Sequence, residues 1–153
     1  MNETQIEKLN NMLMSADSFY KASSKCIDII KVPDENRYEA VPVLIVPFIV
    51  NLSFACEIYL KILIFNRTQK IVKGHCLDEL FLKLPQKEQN DIKINININK
   101  NSNFDKELKN IKNIFTEFRY SYEFDNLKYN ISFLRDFAII LNNECLIIKK
   151  NIK

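Results

Sequence analysis

A chain of 153 residues with 47% hydrophobic and 27% charged side chains carries enough apolar matter for one buried core and too much to remain disordered. Its formal net charge of +3 is too small to single out a polyanion as partner. Four scattered cysteines without a C-x-x-C pair, a single histidine and a single glycine exclude the common zinc sets and the glycine-rich phosphate-binding loops.

The N-terminal MNETQIEKLNNMLM has no basic stretch followed by an apolar run, which predicts no secretory leader, a cytoplasmic setting and reduced thiols. Thr4 and Glu7 form a capping-box pattern, and Ile6, Leu9, Leu13, Ala16, Tyr20, Ser23 and Ile27 recur at helical spacing. A first helix is therefore expected to about residue 31, ended by Pro33. The polar residues 32–39 connect it to an apolar helix that starts near Pro42 or Pro47 and runs to about Asn66, because proline suits a first turn and not the interior. Residues 40–56 carry no charge, but seventeen positions are marginal for a membrane span, and Glu57 and Lys61 are costly inside one. A core helix is the expected role, with no membrane partner.

On a helical wheel the less apolar side of this second helix gathers Ser53, Glu57, Lys61 and Arg67, interrupted by Leu60 and Ile64. Glu57 and Lys61 stand at i and i+4, the spacing of a simple ion pair. A short helix is expected from about His75 to Leu84, with Gly74 supplying the turn before it and Pro85 the stop. Residues 86–103 read as a variable low-complexity loop, since isoleucine alternates with asparagine but no second strand offers a partner. A third long helix is expected over 104–124, with Leu108, Ile111, Phe115, Phe118 and Tyr122 on one stripe. Asp125 can cap a fourth, striped by Leu127, Ile131, Leu134, Ala138, Leu141, Cys145 and Ile148. Three or four amphipathic helices without a strand set predict a single all-α domain over 1–153, a bundle of four or five helices with one long loop.

The candidate chemistry is sparse. His75 is the side chain whose usual pKa suits proton exchange near neutrality, and Arg67 is able to grip a phosphate. Together they match the needs of metal-independent RNA cleavage, a proton carrier and a cation for the phosphorane. The bland readings stand beside this: His75 as a turn-fixing residue and Arg67 as a solvated helix-end cation. FRYSYE, residues 118–123, places Arg119, Tyr120, Tyr122 and Glu123 in a polar aromatic patch able to stack on bases, although Tyr122 also fits the apolar stripe. Cys76 is expected to be a small packed hydrophobe.

NLSFACEIYLKILIF, GHCLDELFLKLP and FRYSYE, in that order, resemble the HEPN superfamily of small helical domains found in prokaryotic toxin, anti-phage and nucleotidyltransferase-associated proteins, over roughly residues 40–141. The resemblance implies a bundle of four or more helices that is frequently dimeric. Active members are metal-independent ribonucleases with an arginine, four to six residues and a histidine, in a cleft shared by two protomers. Here seven residues separate Arg67 from His75, across a helix junction, and neither Arg119 nor Arg135 is followed by a histidine. Relatives without the motif serve as binding or assembly modules. The expected function is therefore a cofactor-free, homodimeric module that binds RNA, nucleotide or a partner protein in a defence or toxin–antitoxin system, through Glu57, Lys61, Arg119, Tyr120, Tyr122 and Glu123. The alternative is an endoribonuclease in which His75 moves protons and Arg67 stabilises phosphate.

Overall fold

The computed structural model describes residues 1–31, 38–97, 103–120, 122 and 129–152. The chain is an all-α bundle. Its elements are α1 (Glu3–Ser24), a ribbon of β1 (Ile27–Lys31) and β2 (Tyr38–Pro42), α2 (Ile45–Thr68), α3 (Leu77–Phe81), α4 (Gln86–Asn97), α5 (Phe104–Asn110), α6 (Ile114–Arg119) and α7 (Ile131–Asn151).

Helix α2 is the axis of the bundle and packs against α1, α3, α6 and α7. Phe48, Ile49, Leu52, Ala55, Cys56, Tyr59, Leu60, Ile62, Ile64 and Phe65, drawn from all sides of it, are at most 4% exposed. By length and composition α2 could cross a membrane, yet 72% of its most apolar window is buried inside the protein. Packing on all sides accounts for that hydrophobicity without a bilayer. Leu9, Leu13 and Ala16 of α1 and Phe133, Leu134, Phe137, Ala138 and Leu141 of α7 close the core. Tyr59 in α2 donates its hydroxyl to Asn142 Oδ1 of α7 at 3.1 Å, so a large buried ring keeps its polar end satisfied.

Several expectations are corrected. The first helix is capped by Asn2 with Gln5 in a reciprocal box, two residues earlier than Thr4, and it stops at Ser24. The Ile27–Lys31 segment pairs antiparallel with Tyr38–Pro42, Ile29 opposite Ala40; its three isoleucines favour extended backbone over helix.

Residues 86–97, expected as loop, form α4. The misleading alternation also contains a helical pair: Ile92 and Ile96 stand at i and i+4 and are each 1% exposed, while Ile94 between them is 58% exposed. The long helix expected over 104–124 is two short ones broken at residues 111–113. There the Lys112 carbonyl accepts the Leu77 amide at 3.0 Å, a tertiary bond that takes it out of a helical ladder. The short third helix begins at Leu77, with Cys76 as its N-cap. The proposed Asp125 cap lies outside the described residues; α7 is capped by Asn130, whose side chain accepts from the Phe133 amide.

Candidate functional site

The polar strip on α2 is a buried seam. Ser53 and Glu57 are 0% and 1% exposed. Ser53 satisfies its hydroxyl locally, donating to the Val50 carbonyl at 3.2 Å. Glu57 holds a carboxylate in the core, and its Oε1 receives two donors: Lys61 Nζ at 2.7 Å and His75 Nδ1 at 3.0 Å. Glu57 Oε2 is buried and has no hydrogen-bond partner among the described residues. A carboxylate oxygen accepts, so His75 carries its hydrogen on Nδ1 and keeps Nε2 for the outside.

Access separates these three groups. The side chain of Glu57 is 2% exposed, that of Lys61 19% and that of His75 68%. His75 is thus a solvent-open imidazole fixed from behind by an enclosed acid, in the manner of an oriented acid–base residue.

Its position follows from the backbone after α2. Gln69 takes a left-handed conformation at φ 57° and ends that helix, and Gly74 takes φ 108°, where a side chain meets strain. The eight-residue connection between α2 and α3 is thereby folded back, returning His75 to the level of Glu57. Cys76 then anchors the turn, its thiol donating to Asn113 Oδ1 at 3.2 Å. Burial and the nearby Glu79 and Asp78 carboxylates push the Cys76 thiol above its usual pKa, which disfavours the reactive thiolate.

Arg67 does not join His75. It forms an ion pair with Glu88 of α4, and ten residues of α2 separate it from Glu57, about 15 Å of helix rise. Glu88 could not be found as a partner while its segment read as loop; the Ile92–Ile96 spacing was the available signal.

Arg119, Tyr120 and Tyr122 gather at the end of α6. The Arg119 guanidinium carbon lies 5.1 Å from the Phe115 ring centre and 5.3 Å from that of Tyr120, and Nη2 donates to the Tyr120 hydroxyl at 3.1 Å. Tyr120 and Tyr122 meet edge to face at 6.4 Å and are 39% and 81% exposed. Tyr122 therefore stands outside the apolar stripe. Beneath them Phe115 stacks on Phe54 of α2 at 4.8 Å, and Phe54 meets Phe19 of α1 at 4.5 Å. Phe54 precedes Glu57 by three residues, so the aromatic stack and the carboxylate that holds His75 are neighbours on α2, about one turn apart. The Phe54–Phe115 foundation escapes a reading of the sequence, although the Phe115–Arg119 spacing of four offered half of it. Glu123 lies outside the described residues.

Among the described residues no group of three His, Cys, Asp or Glu side chains is disposed to hold a metal ion. No protein-family model, no curated protein and no solved structure matches the chain.

Proposed function

We propose that this chain is a HEPN-like helical module of the cytoplasm that binds single-stranded RNA as a homodimer, in the defence or toxin–antitoxin setting that the sequence resemblance suggests. The observation that carries the reading is the exposed Arg119–Tyr120–Tyr122 cluster seated on the Phe115–Phe54 stack. A guanidinium held against aromatic rings offers a phosphate contact and stacking faces for bases in one place. Glu57, one turn of α2 beyond Phe54, holds Lys61 and the exposed His75, which extend the polar surface.

Fluorescence anisotropy with a short labelled single-stranded RNA tests this. Wild-type protein binds with an affinity that falls as salt rises. Tyr122→Ala weakens binding by about fivefold or more, the loss of one stacked base at about 1 kcal/mol, and Arg119→Ala also reduces the salt dependence. Binding unaltered in both variants, or no binding by wild-type dimer, removes the proposal.

The solvent-open His75 backed by Glu57 supports a second reading, metal-independent RNA cleavage. In it His75 Nε2 takes the 2′-hydroxyl proton and Glu57 stabilises the imidazolium. Arg67 of the same chain is committed to Glu88, so the cation for the phosphorane comes from Lys61, Arg119 or a second protomer. This reading requires RNA cleavage in EDTA, abolished by His75→Ala with helicity retained and reduced by roughly tenfold or more in Glu57→Gln. Cleavage surviving His75→Ala rules it out.

A further inference from the structure

A cavity of about 230 Å³ lies at the C-terminal ends of α2 and α7, closed by α4. It is remote from His75: its α2 residues are Leu63, Asn66 and Arg67, the last turns of the helix. Its charged lining is Arg67 from α2, Glu88 and Asp91 from α4, and Glu144 from α7. Three carboxylates therefore face one guanidinium, and that guanidinium is already paired with Glu88 Oε1. The other Glu88 oxygen, Oε2, is buried and has no hydrogen-bond donor among the described residues.

Two features reinforce the negative field. Asn66 and Arg67, like Ile148 and Asn151, belong to the final turns of their helices, so two helix C-termini with their partial negative charge flank one space. Of the two lysines in the last turn of α7, Lys149 reaches away to Asp17 of α1 at 3.4 Å, and neither it nor Lys150 lines the cavity. The remaining walls are hydrocarbon: Leu63, Ile92, Ile147 and Ile148, of which Ile147 is 55% exposed and stands at the rim.

We propose that this cavity binds a small aliphatic cation, an alkyl-ammonium or alkyl-guanidinium group, with its charged head among the Glu88, Asp91 and Glu144 side chains and its alkyl chain along Ile92 and Ile148. An anion meets an excess of carboxylates. A bare metal ion lacks a cluster of ligands among the described residues and makes no use of the apolar wall. An organic cation answers the surplus of carboxylates and covers the isoleucines together. Such a group can be a free amine metabolite or the arginine or lysine side chain of another protein.

Calorimetric titration of the full chain with agmatine, with spermidine and with a short arginine-containing peptide distinguishes these sources. Saturable agmatine or spermidine binding identifies a free amine as sufficient. Binding of the peptide alone identifies a side chain presented by a partner. In either case Glu144→Gln and Asp91→Asn each weaken binding by about tenfold, the loss of one charge-assisted contact. Asp91 is exposed, so its variant retains the fold if Glu144→Gln does not. Absence of saturable binding by all three probes, or binding unchanged in the folded variants, overturns the proposal. Neither result depends on RNA binding, which Tyr122→Ala tests separately.

Discussion

At the scale of single residues the informative group is Glu57. A carboxylate at 1% exposure is tolerable only with donors, and it has Lys61 and His75 on one oxygen. Removing one member of a buried pair leaves an uncompensated charge, whereas replacing both with apolar groups removes the desolvation cost as well. Lys61→Met therefore lowers unfolding stability by about 3 kcal/mol, and the double variant Glu57→Leu/Lys61→Met recovers to within about 1 kcal/mol of wild type. Urea titration followed by circular dichroism measures both; additive losses in the double variant contradict the pairing. The i,i+4 spacing of Glu57 and Lys61 was legible in the sequence. The arrival of His75 was not, because it depends on how the Gln69–Cys76 connection folds back.

At the scale of elements α4 illustrates how a pattern can be read at the wrong period. NININ offers alternation at two residues, but a strand needs a neighbour to pair with, and a helix satisfies its amides internally. The bundle presents a surface to α4 along one line, and Ile92 and Ile96 fill it while Ile94 faces water. Ile92→Ala is expected to cost about 2 kcal/mol or more, and Ile94→Lys to change stability by no more than about 0.5 kcal/mol. A strand predicts the opposite kinship, with Ile92, Ile94 and Ile96 sharing one face and similar sensitivity. Thermal or chemical denaturation of the two variants separates the cases. The break between α5 and α6 has the complementary cause: the stripe from Leu108 to Phe118 is continuous in sequence, but a hydrogen bond from Leu77 to the Lys112 carbonyl comes from another part of the chain.

At the scale of the whole molecule the core is arranged around α2, and its thiols report on that arrangement. Burial pushes Cys56 and Cys145 far above the usual thiol range, so both stay protonated and enclosed. Of these two and Cys76, a thiol reagent at mildly alkaline pH modifies Cys76 first, more slowly than a free small-molecule thiol, and reaches Cys56 and Cys145 only on unfolding. Rapid native-state labelling of Cys56 or Cys145, read by mass spectrometry of peptides, shows the core to be more open than described. The all-α class, the central place of α2 and most of the apolar stripes were legible in the sequence, since these depend on local periodicity and on hydrophobic burial that any compact fold must achieve. The sequence also singled out Glu57, Lys61, His75 and Arg67. Their partners emerge from the packed fold: His75 and Lys61 share one buried carboxylate, Arg67 turns to Glu88, and Arg119 rests on a stack begun in another helix. Partnership across distant segments is set by where chain reversals and neighbouring helices place each side chain, and local spacing carries no record of it.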